Sequence, residues 1–391
     1  MKLFYFLPFL ALFERGATQG TIAQNYIYSV SEIIAALRES GEDMFRADYF
    51  FKVVENLITG VPFQIASGIL NSVCATVLAQ GRDQTPDQYV PRREDIKLQL
   101  RTSCGGREYA IDNILEIAED PDFDPEKKTV IFSNGFLSTL DFPATPDLAK
   151  AFSCRGDTNF LVLDSSGYLT TLYVWAAQNT VTIGEYLAEG IQSLSQIIDI
   201  EKLHIIGHSL GAQIMAAAAR HYTDLTDNQL PHVTGLDPAY PCFNESEVLT
   251  ILSASDAEFV DNIITAPGIT GQFSASGDAT FYVGGLFPVQ DPCIGPLCSH
   301  LIAIYYYIES VYPNNERNFL ARRCSSLYRL KAGRCNGDEY PMGLAVPHDL
   351  KGRYILEVNE ERPYGKNATE DYMDPETTTC GLCEVSEEDS I

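Results

Sequence analysis

Hydrophobic and polar positions divide the chain into a helical beginning and a longer part in which strands and helices alternate. Between residues 26 and 80, apolar residues recur every three or four positions, as in SVSEIIAALRES, which is typical of amphipathic helices. From about residue 97 short strand-like runs appear: DIKLQLRTS, KKTVIFSNG, TNFLVLDSSG, LHIIG and HVTGLD. Helical stretches separate them, so the pattern predicts an α/β fold with a central, mostly parallel sheet and helices on both faces.

The same pattern predicts three segments. The first, residues 1–19, combines Lys2, an apolar run and small residues, as a secretory signal peptide does. The run from Leu3 to Phe13 is too short to cross a bilayer, which takes about 20 residues, and the alternative is a buried N-terminal helix. Residues 20–94 are expected to form a helical extension. Residues 95–391 are expected to form one domain, because no repeat or long linker interrupts them.

Charge and cysteine content favour a secreted, extracellular protein. The chain has 27 basic and 53 acidic residues, a net charge of -26, so its surface as a whole repels nucleic acid and anionic lipid. Ten cysteines in a chain with a predicted signal peptide indicate disulfides, and short separations favour Cys293 with Cys298 and Cys324 with Cys335. The other six cannot be paired from sequence. Candidate glycosylation sites are Asn244 and Asn367.

The pentapeptide GHSLG, residues 207–211, lies between an aliphatic strand and an Ala-rich helix. It fits the G-x-S-x-G pattern, in which a strand turns sharply into a helix and exposes a serine at the turn. Glycines two positions away on each side leave room for that turn, and the start of the helix is electropositive. The pattern therefore predicts that Ser209 is a nucleophile; the alternative is a small residue in a tight turn.

A serine nucleophile needs a histidine base, and in this fold the base follows the acid in the chain. His300 and His348 qualify by position. We favour His300, because a loop from Cys293 to Cys298 would hold the backbone beside it, and we expect His348 to lie on the surface. His208 is adjacent to the nucleophile in sequence, so we expect it to point elsewhere and to be structural.

The acid that orients the base is predicted to be Asp237. It directly follows the strand HVTGL, and Pro238 stops that strand. Asp256 and Asp261 are the alternatives. An oxyanion hole also needs two backbone N–H groups; Leu210 after the serine and Phe136 in IFSNGFLS are expected to supply them.

Several segments together resemble the pancreatic lipase family of α/β-hydrolases: NGF at 134–136, GHSLGA at 207–212, TGLDPAYPCF at 234–243, SDAEFVDNIIT at 255–265 and CSHLIAIYYYIES at 298–310. Later segments, including NNERNFLARRC, are most similar to the insect branch, which contains neutral lipases, phospholipases A1 and egg yolk proteins. By this resemblance Ser209, Asp237 and His300 match the family's catalytic positions. Phe136 and Leu210 match its oxyanion donors.

Differences from the family pattern bear on ligands. The family's usual His-Gly-Phe reads Asn-Gly-Phe at 134–136. One of the two aspartate positions that help to bind calcium in vertebrate members is Asp256, but the other is Ser253, so we expect no metal, and we expect no cofactor. The lid between Cys293 and Cys298 is reduced to Ile294, Gly295, Pro296 and Leu297, which implies an open site that tolerates polar head groups.

The sequence therefore predicts a secreted serine hydrolase of lipid carboxylic esters, either a triacylglycerol lipase or a phospholipase A1. With 91 residues after His300, we expect no C-terminal β-sandwich domain and no protein cofactor that docks on one. The expected partner is a lipid ester, with no nucleic acid and no transmembrane segment. The alternative is a non-catalytic storage or lipid-binding protein of the yolk type, since yolk proteins resemble this fold without the nucleophilic serine.

Overall fold

The computed structural model describes residue 74 and residues 86–243, 249–290, 292–293 and 295–383. The chain divides into two units, Met1–Val73 and Cys74–Ile391, and every described residue belongs to the second. The predicted signal peptide at 1–19 lies outside the described residues, as does most of the predicted extension at 20–94.

Within the described residues, eleven strands form a single sheet. They are β1 Lys97–Thr102, β2 Gly105–Ala110, β3 Lys128–Ser133, β4 Thr158–Asp164, β5 Leu203–His208, β6 Leu230–Leu236, β7 Ala257–Ile264, β8 Ala279–Val283, β9 Leu320–Cys324, β10 Glu339–Pro341 and β11 Gly352–Leu356. Their order across the sheet is β10-β9-β11-β8-β7-β6-β5-β3-β4-β1-β2. The strands from β11 to β4 in that order are parallel, and two antiparallel strands complete each edge.

The described helices are α1 Ala144–Arg155, α2 Ser166–Leu169, α3 Tyr173–Leu194, α4 Leu210–Thr226, α5 Pro296–Val311 and α6 Leu327–Lys331. Shorter 3-10 turns lie at Asp87–Tyr89, Arg93–Asp95, Ile111–Glu119 and Ile200–Lys202. Helix α3 packs on α4, and α1 packs on α5. A side chain at Gly184 of α3 would meet the Cβ of Ala217 in α4 at 2.5 Å, so this glycine allows the two helices to approach closely. In the part of the chain that is described, no helix is long and apolar enough to cross a membrane.

The central strands are buried on both faces. Ile131 and Phe132 of β3 and Ile205 and Ile206 of β5 are completely excluded from solvent. Near-continuous apolar strands of this kind are expected where helices cover a parallel sheet on both sides. The structure therefore has the α/β-hydrolase fold that the sequence predicts. Because the parallel strands end at one edge, residues that follow β3, β5, β6 and β7 meet there.

Disulfides tie distant parts of the described chain together. The structure pairs Cys293 with Cys298 and Cys324 with Cys335, the two pairs favoured by their spacing. The pairs that the sequence left open are Cys74–Cys242, Cys104–Cys383 and Cys154–Cys380. Both cysteines of the CxxC sequence near the end of the chain thus bond to cysteines that precede β5.

Candidate active site

Ser209 occupies the sharp turn between β5 and α4. Its backbone has φ 56° and ψ -122°, in the positive-φ region that non-glycine residues seldom adopt. A Cβ at Gly207 would lie 2.3 Å from the carbonyl of Gly211, and a Cβ at Gly211 would lie 2.2 Å from the backbone oxygen of Ser133. Both glycines are therefore required by the close approach of β3, β5 and α4, and the serine is held at the N-terminus of α4.

Backbone hydrogen bonds tie this turn to the residues on either side of Asp237. The N–H of Ser209 donates to the oxygen of Leu236 at 3.1 Å, and the N–H of Ala239 donates to the oxygen of Ser209 at 3.1 Å. The N–H of Asp237 itself donates to Ile263 at the end of β7, at 2.7 Å. The relative positions of Ser209 and Asp237 are thus set by the backbone and do not depend on their side chains.

Asp237 and His300 form a buried pair. The Nδ1 of His300 donates to Oδ2 of Asp237 at 2.6 Å, and the aspartate side chain has no exposed surface. The other carboxylate oxygen accepts from the N–H groups of Thr265 at 2.8 Å and Ala266 at 3.0 Å. These three bonds fix the carboxylate, and the bond to Nδ1 leaves Nε2 of His300 as the unprotonated nitrogen of the neutral ring. That is the tautomer a general base requires.

Gly271 contributes to the same arrangement through its lack of a side chain. It lies against the carboxylate of Asp237, and a Cβ there would be 2.2 Å from Oδ1 and 2.4 Å from Oδ2. The chain from Thr265 to Gly271 therefore wraps the carboxylate closely. No sequence signal indicated Gly271, because its partner lies more than thirty residues earlier and is reached only through the fold.

His208 is buried beside His300. The two ring centroids are 4.5 Å apart, and Nε2 of His208 donates to the backbone oxygen of His300 at 3.0 Å. The expectation that His208 points away from the site was wrong, because the alternation of β5 turns its ring toward α5. Burial, together with the adjacent His300, lowers the pKa of His208 well below its usual range, so its ring is neutral.

The loop that follows β3 lies directly against Ser209. A Cβ at Gly135 would be 2.6 Å from the Cβ of Ser209 and 3.2 Å from its hydroxyl oxygen. Phe136 follows, with its ring packed edge-on against Tyr173 at 5.0 Å. Asn134, which stands where the family has histidine, donates from Nδ2 to the hydroxyl of Thr145 at 2.9 Å. The amide thereby anchors the loop that lies beside the serine.

Of the two contacts expected within the triad, the bond between Asp237 and His300 is present and the bond between Ser209 and His300 is not. Within the described residues no hydrogen bond joins Ser209 to His300, a contact that often tightens only when substrate binds. Ser209 and His300 are buried, with 5% and 6% of their surface exposed. The alternative acids have other partners: Asp256 accepts from Arg220 at 2.9 Å, and Asp261 accepts from His232 at 2.8 Å.

The remaining predicted positions lie near the edge of the site or on the surface. His348 is exposed and stacks on Phe259, with centroids 4.8 Å apart, far along the strands from His300. Gly295 caps α5, and Pro296 and Leu297 form its first turn, while Ile294 lies outside the described residues. Asn367 is exposed, and Asn244 lies outside the described residues. In the described ranges no three His, Cys, Asp or Glu side chains are arranged to hold a metal ion.

The sequence is similar to known proteins over about half of its length. The sequence pattern of the family described as Lipase matches residues 76–276. Vitellogenin-1 of Ceratitis capitata is 34% identical over 212 residues, which cover 54% of this chain and 48% of the relative. Pancreatic lipase-related protein 2 of Bos taurus is 30% identical over 63% of this chain and 57% of the relative. Probable phospholipase A1 magnifin of Vespa magnifica is 29% identical over 57% of this chain and 70% of the relative. The chain spans about half the length of the first curated relatives it matches.

Proposed function

The chain belongs to the lipase family, and from that premise we propose that it hydrolyses carboxylic esters of lipids with a Ser209–His300–Asp237 triad. The observation that carries the proposal is the combination of a strained serine at the turn between β5 and α4 with a buried Asp237–His300 pair beside it. A serine in an ordinary turn does not need a positive φ held by two obligatory glycines.

In the proposed reaction the Oγ of Ser209 attacks the ester carbonyl carbon, and its proton passes to Nε2 of His300. The N–H groups of Phe136 and Leu210 donate to the oxyanion, a contribution of about 3 kcal/mol for each such donor. The C–O bond breaks, and His300 returns the proton to the departing alcohol. Water then attacks the acyl-serine with the same base, releasing the fatty acid and restoring the hydroxyl. Asp237 stabilises the imidazolium in both steps.

The short segment between Cys293 and Cys298 supports substrates with polar head groups as well as neutral glycerides. The residues there that are described cap α5 or belong to its first turn, so they have no length left to fold over the site as a separate flap. An open entrance admits water and head groups, and we therefore propose phospholipase A1 activity alongside hydrolysis of neutral glycerides, in the extracellular space. Phospholipase A1 sequences from two species of Vespa are among the relatives and support the same substrate.

Covalent labelling with a fluorophosphonate probe tests the nucleophile whatever the substrate is. We expect one label per chain on Ser209, none in Ser209→Ala, and normal labelling in the control Ser195→Ala, which changes a serine at the end of α3. Turnover of a short-chain ester and of phosphatidylcholine should fall on the order of a million-fold in Ser209→Ala. Absence of labelling in the folded wild-type protein would refute the triad.

A second candidate is a non-catalytic storage or lipid-binding protein, favoured by the 34% identity with Vitellogenin-1. It predicts neither labelling nor hydrolysis, and it gives Ser209 no role beyond its turn. Fluorophosphonate labelling therefore separates the two candidates.

A further inference from the structure

The charge of this protein is distributed very unevenly. The chain as a whole has a net charge of -26, yet residues 320–335, LARRCSSLYRLKAGRC, contain five basic residues and no acidic one. The segment contains β9, next to the edge strand β10, and helix α6, and the disulfide Cys324–Cys335 joins the end of β9 to the residues after α6. Within the described residues, Arg323, Arg329, Lys331 and Arg334 form no ion pair with a carboxylate, and all four are exposed.

Large apolar side chains are exposed in the same segment and in two loops next to it. On α6, Tyr328 is 77% exposed and Leu327 is 41% exposed. Phe287, after β8, is 67% exposed, and Phe273, after β7, is 43% exposed. Single exposed apolar residues are common, but four that surround one buried cluster need a cause.

Packing places these side chains on one face. Leu330 of α6 belongs to a buried cluster with Ile264 and Tyr282, and Ala275 and Leu286 from the two loops pack against that cluster. The hydroxyl of Tyr282 also donates to the backbone oxygen of Phe273 at 2.9 Å. Residues 265–290, which form the loops and the strand between them, contain one charged residue, Asp278, and it pairs with Lys351 at 3.4 Å. The result is an apolar surface, poor in charge, bordered by cations.

We propose that this basic apolar face, residues 320–335 with Phe273 and Phe287, binds the surface of an anionic lipid membrane. Cations next to exposed aromatic and aliphatic side chains suit a membrane interface, where the apolar groups enter the acyl boundary and the cations meet phosphate and carboxylate head groups. A soluble polyanion would use the cations but would leave the four apolar side chains in water. The overall negative charge does not prevent binding, because at physiological salt charges beyond about 8 Å are screened.

The face adjoins the candidate active site. The loop that carries Phe273 also carries Gly271, which lies against Asp237, and Thr265, which donates to Asp237. Membrane contact would thus bring the mouth of the site to a lipid surface. This last consequence rests on the proposed function, whereas membrane binding itself does not.

The test measures co-sedimentation of the full chain with phosphatidylcholine vesicles that contain or lack phosphatidylserine. All proteins carry Ser209→Ala, so that hydrolysis does not alter the vesicles and binding is scored apart from catalysis. We expect a preference for the anionic vesicles that weakens as salt is raised. The variant Arg329→Gln/Lys331→Gln/Arg334→Gln should bind them on the order of a hundred-fold less, at roughly five-fold per charge.

Two further variants make the result specific. Lys127→Gln/Lys128→Gln/Lys202→Gln removes the same charge at the amino ends of β3 and β5 and should bind as the parent does. Tyr328→Ser/Phe287→Ser should weaken binding to both kinds of vesicle. Equal binding by the two charge variants would overturn the proposal. So would retention on a sulfated polysaccharide that depends on the cations without any vesicle binding.

Discussion

Replacing Gly271 with alanine would place a methyl group against the carboxylate of Asp237. The new Cβ would be 2.2 Å from Oδ1 and 2.4 Å from both Cγ and Oδ2, whereas non-bonded carbon and oxygen atoms normally stay about 3.3 Å apart. The backbone at Gly271 cannot easily retreat, because its N–H donates to Ala266 at 3.1 Å and its oxygen accepts from Gly268 at 2.8 Å. We therefore expect the carboxylate to move by about 1 Å.

A displacement of that size would break the 2.6 Å bond to His300 and loosen the two backbone bonds from Thr265 and Ala266. Misplacing a catalytic group by about 1 Å costs roughly a hundred-fold in rate. The upper limit is the roughly ten-thousand-fold loss seen when a triad aspartate becomes asparagine. Gly271→Ala should therefore lower kcat for a short-chain ester by between about a hundred-fold and ten-thousand-fold. Overpacking should also lower the free energy of unfolding by about 1–3 kcal/mol.

The assay compares kcat and thermal unfolding for Gly271→Ala, Asp237→Asn and the double variant. If Gly271→Ala acts through Asp237, the double variant should be little slower than Asp237→Asn alone. Gly106→Ala is the matched control: its Cβ would meet the Cδ of Gln99 at 2.5 Å on the edge strands, and kcat should not change. Wild-type kcat in folded Gly271→Ala, or fully additive losses in the double variant, would refute the reasoning.

Two other predictions concern the neighbours of the site. Asp256→Asn should leave kcat unchanged, because Asp256 is occupied by Arg220 and Ser253; a loss as large as that of Asp237→Asn would contradict the assignment of the acid. His208 has a pKa lowered by burial and by the nearby His300, so below pH 6.5 the unfolded chain binds more protons there than the native state does. The stability that comes from keeping His208 neutral in the native state is thus fully present above about pH 6.5. As pH falls below that value, the free energy of unfolding decreases by about 1.4 kcal/mol per pH unit. The free energy of unfolding, measured with urea between pH 7 and pH 5, should therefore fall less steeply with decreasing pH in His208→Phe than in the wild type, by that amount. An equal pH dependence in the two proteins would count against a neutral His208.

The edge of the sheet that holds the candidate site could be predicted because its signals are local. Aliphatic runs mark β3, β5 and β6, and a residue of the site follows each within three positions: Phe136, Ser209 or Asp237. The glycines around Ser209 are needed by a turn that spans only a few residues. His300 could be predicted from the sequence because it begins a long apolar stretch just after two closely spaced cysteines.

Features made by long-range contacts could not be predicted in this way. His208 and His300 are 92 positions apart, and their contact depends on α5 lying against the end of β5. The first turns of α3 likewise have no pattern in the sequence that marks them, because Val174, Trp175, Ala176, Gln178 and Asn179 are all buried. A helix segment buried on every side has no polar face and therefore no period of 3.6 residues to detect.

A second histidine–aspartate pair explains why position within the sheet, and not residue type, defines the candidate site. Nε2 of His232 donates to Asp261 at 2.8 Å, and both side chains are buried. Asp261 lies inside β7, directly opposite Thr234 of β6, and the hydroxyl of Thr234 donates to the same carboxylate oxygen at 2.6 Å. The pair borders a cavity of about 460 Å³ whose lining includes His204, His232 and His348 but not Ser209, so the serine nucleophile of the candidate site is not part of it. Asp237 follows the last residue of β6, where the backbone leaves the sheet and loops from other strands converge. Of the three aspartates that the sequence offers as candidates, Asp237, Asp256 and Asp261, only Asp237 lies at the end of a strand beside the serine turn.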